Sequence, residues 1–501
     1  MTKAAIIGAG IGGIAASIRL AVKGYSVTVF EANETFGGKM QEFWLGKYRF
    51  DAGPSLFTLP HLVDELFTLA GRNPADYFTY KRLDPITHYF WPDGSHVKAY
   101  ADADKFAAEV HQQLQVPKEA VVEALAKSAR LYKGTADTFL KKSLHRLDTY
   151  LSPDVLKALS CLSDLGLTTT MHQANAKQFS DKRFVQLLDR FATYNGSDPY
   201  QAPGTLNIIP HLEHNIGAFY PEGGIHAIAA SLVKLAEELG VVFKYNEPVK
   251  QILTSGASIS GIETSKGKYS ASLVVSNMDI VPTYRKLLPN QKAPEQTLQQ
   301  PRSSSALIFY WGIKQQFPAL HVHNIFFSED YKTEFEHIFK YKTISPDPTV
   351  YINITSKAAP QDAPADSENW FVMVNVPHNQ GQDWERLTAG TRQAVLNKLS
   401  KMLGTSIEPL IELIEEEQVL DPLLIESKTS SFGGALYGSS SNNKMAAFLR
   451  HPNFSSKLKG LYFCGGSVHP GGGIPLCLLS AKIVGELAPA PQQAVKTPNH
   501  A

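Results

Sequence analysis

The stretch AAIIGAGIGG, which begins at Ala4, constrains the fold more than any other part of the chain. An apolar run over residues 4–7 ends in glycines at Gly8, Gly10, Gly12 and Gly13. A secretion signal needs a basic start, an uninterrupted apolar core and a small-residue cleavage site. The glycines break that core, so the pattern reads as a buried strand, a tight turn and a helix. Residues 14–22 (IAASIRLAV) have helical composition, and Gly24 marks the stop. A second β-rich run, SVTVF, covers residues 26–30 and leads into Glu31. The result is a βαβ unit with the spacing Gly8-x-Gly10-x-x-Gly13 at its first turn.

Each position in that turn has a physical task. Gly8 allows the sharp bend, Gly10 lets backbone approach a pyrophosphate, and Gly13 lets helix and strand pack closely. Ile11 and Gly12 lie between them, at a helix start whose free N–H groups and partial positive charge suit phosphate. Glu31 follows Gly8 by 23 residues and stands where a carboxylate accepts hydrogen bonds from a ribose diol. Strand, helix, second strand and acid in register predict a dinucleotide site. The unit itself leaves NAD and FAD both open.

Three further segments narrow the reading. ANETFGGKM places Gly37, Gly38 and Lys39 just beyond the ribose acid, a second glycine pair with a cation, as a longer cofactor would need. RFDAGPSLFTLP covers residues 49–60. GLYFCGGSVHPGGGIPLCLLSAK, residues 460–482, reads as a strand, a Gly/Pro loop and a helix start.

Together these motifs resemble the FAD-dependent carotenoid desaturases of the bacterial phytoene-desaturase type, within the amine-oxidase-like flavoproteins. The segment RFATYNGSDPYQAPGTLNIIPHLEHNIGAFYPEGGIHAI (residues 190–228) fits the same family. The wording ATY, GGIHA and GGSVHPG resembles its hydroxycarotenoid 3,4-desaturase branch. The resemblance covers both ends and the middle of the chain. It implies FAD as cofactor and an α/β fold: a Rossmann-type FAD-binding domain with an interleaved α+β substrate domain and a helical insertion. It further implies that Gly8, Gly10, Ile11, Gly12, Gly13, Glu31, Gly38 and Lys39 meet the AMP and phosphate side. Backbone near Val249 would meet the adenine, and Gly53, Pro54 and Ser55 would approach the flavin. Gly465, Gly466, Gly473, Ile474 and Pro475 would flank the ribityl chain and ring. Many related flavoproteins carry a Gly-Asp pair where this chain has Gly465-Gly466, so backbone contacts are expected there.

Length and composition agree with a large enzyme. A chain of 501 residues exceeds one typical domain and can bury a large core. Hydrophobic content of 43% and charged content of 19% are ordinary for globular proteins. A net charge of +1 gives no case for nucleic acid. Cys161, Cys464 and Cys477 lack metal-ligand spacing, and so sparse a count suits a reducing cytoplasm. The expected FAD-binding domain combines residues 1–74, 216–299 and 446–487. Residues 75–215 should be a largely helical substrate and membrane-contact region, with Val121, Leu125, Ala129 and Tyr132 on one helix face. Residues 300–445 should be a substrate domain with a mixed sheet, and residues 488–501 a disordered tail. Ile225, Ile228, Leu232, Leu235 and Leu239 recur at helical spacing before a stop at Gly240.

A carotenoid is a long apolar polyene that resides in lipid. Its site should be an apolar tunnel with few polar anchors. No apolar run reaches the roughly 20 residues of a membrane span. The expected location is therefore cytoplasmic and peripheral, on the inner face of the cell membrane. Contact with the bilayer would run through the helical insertion, with residues 156–168 (LKALSCLSDLGLT) the first candidate. A flavin accepts hydride from an allylic carbon. The remaining charge spreads along the polyene, so a weak base suffices to complete the double bond.

Glu213 is the first candidate base and His469 the second; an ion pair and a backbone hydrogen bond are the plainer roles for each. His211, His214 and Tyr220 either contact a substrate hydroxyl or pack in the core. His211, Glu213 and His214 are too close in sequence to converge on one ion, so no metal is expected. The alternatives are a phytoene or other carotene desaturase, a carotene isomerase, and an amine-oxidase-like flavoenzyme with an aromatic cage for a polar amine. The electron acceptor is left open.

Overall fold

The structure, a computed structural model, describes residues 2–151, 153–155, 157, 161, 166, 168–443 and 445–491. The opening unit forms as β1 (Lys3–Ile7), α1 (Ile11–Val22) and β2 (Ser26–Phe30). The two strands run parallel, with Ile6 opposite Val29, because the helix carries the chain back before the second strand begins. The helix starts three residues earlier than the composition suggests. Gly12 and Gly13 are its second and third residues, so the glycines form the helix end itself. Gly24 follows the end of α1 with φ +99°, a backbone conformation glycine adopts without strain.

β1 lies at the centre of a five-stranded parallel sheet. The order is Leu461–Phe463, Leu273–Ser276, β1, β2, Val242–Lys244. The sheet thus gathers strands from the start, middle and end of the chain. The helices Ile474–Leu487 and His226–Glu238 pack beside α1. Glu65, in the helix His61–Leu69, accepts from Arg19 Nη2 at 2.7 Å and from Lys482 Nζ at 2.9 Å, and so ties the first and last helices together.

A second sheet has seven strands. Its order is Ile414–Leu420, Ser305–Ile313, Glu368–Val376, Val350–Ile354, His323–Phe326, Thr87–Phe90, His96–Ala99. The segments ALIFYWGI and ENWFVMVNV are the central strands. All nine residues of Ser305–Ile313 are buried, as expected of a strand covered on both faces. One face, with Leu307, Phe309, Trp311, Ile352 and Trp370, packs under the helix Trp384–Leu403. The other face, with Ile308, Tyr310, Tyr351 and Phe371, turns toward the segment that contains DAGPS. Tyr310 Oη donates to Ala52 O at 2.6 Å, and Asn369 Nδ2 donates to Arg49 O at 2.6 Å. That face therefore looks onto the parallel-sheet body.

The segment 75–215, expected to be largely helical, also supplies the strands Tyr80–Arg82, Thr87–Phe90 and His96–Ala99. The last two extend the seven-stranded sheet. They are only four residues long, and their length hid them in the sequence. The helix Lys118–Phe139 buries Val121 and Leu125, then Ser128, Leu131 and Thr135 in place of Ala129 and Tyr132. Steps of four residues drift about 40° each around a 3.6-residue turn, so a stripe built on fours leaves the buried face. Residues 156, 158–160, 162–165 and 167 of the membrane-contact stretch, and 492–501 of the tail, lie outside the described residues.

Candidate active site

The glycine turn is packed against Asn277, which follows the strand Leu273–Ser276. Because Ile7 pairs with Ser276, Asn277 falls opposite Gly8. A Cβ at Gly10 would lie 2.8 Å from Asn277 Nδ2, and one at Gly12 would lie 2.6 Å from Asn277 Oδ1 and 3.2 Å from Gly465 Cα. A Cβ at Gly13 would lie 2.1 Å from Gly8 O. α1 begins at Ile11 with no side-chain cap and no acid in its first turn, so its first N–H groups are free for an anion. Glu31 sits beside this turn. Its Oε2 accepts from Ala9 N at 2.7 Å, and its Oε1 accepts from Asn33 N at 2.9 Å. Glu247 N donates to Glu31 O at 2.9 Å, which brings the chain leading into Val249 alongside.

The C-terminal loop closes on the same turn. Gly465, with φ +98°, touches Asn277, and the helix Ile474–Leu487 starts after Gly473, where a Cβ would meet open space. That helix also lacks a side-chain cap and a first-turn acid, with Ile474 and Pro475 as its first residues. Gly466 lies against Gly472 and Cys477. Gly38 packs on Gly10, and a Cβ at Gly53 would lie 2.1 Å from Lys39 O. Lys39 Nζ donates to Leu436 O at 2.9 Å; burial pulls its ammonium below the usual lysine range, against the pull of Asp279. The glycine segments from both chain ends thus meet, as two uncapped helix starts with Glu31 to one side. These residues fit an FAD.

Gly53, Pro54 and Ser55 run between this body and the seven-stranded sheet. Arg49 anchors the strand Tyr48–Asp51 that leads into them. It pairs with Asp51 at 3.0 Å and Asp362 at 3.4 Å, and Asp51 in turn accepts from Ile225 N at 3.0 Å. Ser55 Oγ and Tyr351 Oη are 2.7 Å apart, and Tyr351 Oη lies 2.8 Å from His323 Nδ1. Tyr351, Tyr437, Lys39 and Cys477 are deep inside the protein, yet each keeps some accessible surface. Ile308, Phe371, Met373 and Leu436 line the same region with apolar surface.

Glu213 and Arg190 form a buried ion pair at 3.0 Å. Arg190 Nη2 also donates to Tyr89 Oη at 2.7 Å, and Tyr194 Oη donates to Glu213 Oε1. Burial raises the Glu213 carboxyl above its usual range, and Arg190 pulls it back down. His469 is buried; its Nε2 lies 2.9 Å from Lys142 O, and its Nδ1 has no partner among the described residues. Burial pushes its pKa down to about 3, so the ring is neutral. His214 stacks on Phe106 at 4.3 Å, and His211 lies 4.9 Å from Tyr132, both in the core. Tyr220 Oη reaches Asp362 at 3.4 Å. No group of three metal-ligating side chains forms among the described residues. Sequence reasoning missed Asn277, Arg190, Tyr351 and Tyr437. The signal for Asn277 was its place at the carboxyl end of a parallel strand, where ligands bind in such sheets.

Residues 11–486 match the family model described as flavin containing amine oxidoreductase. The chain is 52% identical over 489 residues to a 1-hydroxycarotenoid 3,4-desaturase of Flavobacterium sp. (strain P99-3), covering 98% of this chain and 99% of that protein. It is 33% identical over 497 residues to a 4,4'-diapolycopene oxygenase of Methylomonas sp., covering 96% of each. Among solved structures it is similar to putrescine oxidase bound to putrescine, with TM-score 0.61, 15% identity and 97% of each chain covered. An oxidoreductase from Methanosarcina mazei aligns with TM-score 0.62 at 15% identity over 97% of this chain and all of that one. These two likenesses show the fold. With nearly its whole length matched and both glycine segments in place, the chain belongs to the flavin-containing amine oxidoreductase family.

Proposed function

We propose that this chain is an FAD-dependent desaturase that forms the 3,4 double bond of a 1-hydroxylated carotenoid. The observation that carries the reading is the 52% identity, over almost the full length of both chains, to a protein of that activity. The apolar face of the seven-stranded sheet, turned toward Gly53, Pro54 and Ser55, supports it. Gly8, Gly10, Ile11, Gly12, Gly13, Glu31, Gly38 and Lys39 would hold the AMP and phosphate side, with backbone at Val249 beside the adenine. Gly53, Pro54 and Ser55 would approach the ring, and Gly465, Gly466, Gly473, Ile474 and Pro475 would border it and the ribityl chain. FAD, when bound, supplies a hydride acceptor. The chain's own part is to hold one allylic C–H bond in place in a cavity that excludes water.

The proton lost from the neighbouring carbon needs only a weak acceptor. Tyr194 keeps accessible surface and its hydroxyl binds Glu213, so Glu213 is reached through it. His469, whose buried Nδ1 has no partner among the described residues, is the second candidate acceptor. Both are proposals for groups at the reacting end of the polyene.

Peripheral attachment to a bilayer completes the reading. No helix among the described residues is long and apolar enough to cross a membrane. Leu147 and Leu151 are each 85% exposed, and Tyr150, Met445, Phe448 and Leu449 are exposed as well. Phe448 touches Phe139 of the helical insertion, at 6.0 Å between ring centroids, and on this reading the two groups act as one apolar patch. Such a patch inserts into the interface at a gain proportional to its area. The double variant Leu147→Glu, Leu151→Glu is expected to stay in the supernatant when vesicles are sedimented, while the unaltered protein pellets with them. Equal pelleting would refute this surface.

The test of the activity is expression in cells that make defined carotenes or hydroxycarotenes, followed by pigment analysis. A red shift with 1-hydroxylated pigments alone is the expected result. Conversion of colourless phytoene would transfer the chain to the other desaturase branch.

A further inference from the structure

The buried polar groups behind Ser55 form a hydrogen-bond chain with a fixed direction. Asn353 Nδ2 donates to Val322 O at 2.9 Å, which sets the orientation of its amide. The same nitrogen lies 3.3 Å from His323 Nδ1. An amide nitrogen only donates, so a hydrogen on Nδ1 would face another hydrogen. This contact favours Nδ1 as the acceptor, with the ring's proton on Nε2. Burial keeps the ring neutral, with its pKa pushed down to about 3. Tyr351 Oη, 2.8 Å from Nδ1, then directs its proton there and takes the main share of the ring's one lone pair, with Asn353 at 3.3 Å the longer contact. Ser55, 2.7 Å from Tyr351 Oη, then has to donate to it. With that proton committed, Ser55 Oγ offers only lone pairs to a further partner. Ser55 is only half-buried, which leaves part of the residue open to a partner.

We propose that Ser55 Oγ accepts the hydrogen bond of the substrate's 1-hydroxyl group, and that Tyr351, His323 and Asn353 act as positioning residues that keep it an acceptor. The inference rests on the function proposed above. In a 1-hydroxylated carotenoid one carbon separates the hydroxyl-bearing carbon from the 3,4 bond. Its anchor must then lie within a few ångströms of the hydride acceptor, and Ser55 ends the segment that faces the flavin. The hydroxyl is a donor, and Ser55 is an acceptor whose proton is already committed. A polyene without the hydroxyl would leave that acceptor desolvated and unpaired, which a site built around it rejects.

The experiment compares kcat/KM of the holoenzyme for a 1-hydroxycarotenoid and for the same polyene lacking the hydroxyl. Their ratio cancels any general effect on flavin seating. Ser55→Ala is expected to lower the ratio about tenfold. Ser55→Thr and Ser55→Val have the same shape and differ in the acceptor; the first should keep the preference and the second lose it. This pair decides the matter if Ser55→Ala fails to retain flavin. An unchanged ratio in Ser55→Val, with hydroxylated substrate still desaturated, overturns the inference and leaves the proposed function standing. An unaltered enzyme that desaturates neither polyene overturns both.

Discussion

Replacing Gly13 with valine is expected to give a protein that purifies without bound flavin. A Cβ there lies 2.1 Å from Gly8 O and 3.3 Å from Asn277 Cβ, well inside contact distance. Neither neighbour can yield cheaply. Gly8 N is bonded to Phe30 O at 2.8 Å, and Gly8 has φ +93°, so its carbonyl is fixed by the turn. α1 must therefore move off the strand, and its free N–H groups move off the phosphates. A loss of about 3 kcal/mol would weaken FAD binding on the order of 100-fold. The visible flavin bands of the purified protein report it directly. Gly390→Ala, at a position with nothing within 4 Å of the added atom, is the control and should keep its flavin. A Gly13→Val protein with a full flavin complement would mean that this turn does not hold the cofactor.

Arg190→Leu is expected to cause the largest loss of stability of any single change at the site. Arg190 is 8% exposed and Glu213 is 1% exposed, so both charges are screened by each other and not by water. Removing the guanidinium leaves a buried carboxylate with one hydrogen bond from the described residues, that of Tyr194. Breaking a buried pair in this way costs about 3–5 kcal/mol. It also removes the donor to Tyr89 and the cation 4.5 Å above the Phe191 ring. A drop of several degrees in Tm, measured on holoenzyme, is the expected result. The double variant Arg190→Leu, Glu213→Leu should recover part of it, because the stranded charge is gone. If Arg190→Leu melts with the unaltered protein, the pair is not a structural support of the cavity wall.

The cofactor half of the molecule was legible because its signals are local. The glycine spacing, the apolar run before it and the acid after the second strand fall within 31 residues, and β1, α1 and β2 form there. The Gly/Pro loop near the end was readable for the same reason. What the sequence did not show were pairings between distant segments. Asn277 meets Gly8 only because the strand Leu273–Ser276 pairs with β1. Tyr351 meets Ser55 across 296 residues, and Arg190 meets Tyr89 across 101. The short strands Thr87–Phe90 and His96–Ala99 likewise gain their burial from the sheet they join. Arg190, which governs the charge of Glu213, lies 23 residues before it in the chain. An ion pair formed across a turn of π-helix and a 3-10 helix has no periodic signature.

The most direct measurement is anaerobic mixing of purified holoenzyme with a 1-hydroxylated carotenoid, followed by absorbance. The account predicts that the visible flavin bands bleach while the polyene absorption shifts to the red, one flavin for each new double bond. Flavin that stays oxidised with the carotenoid but bleaches with an amine would contradict it.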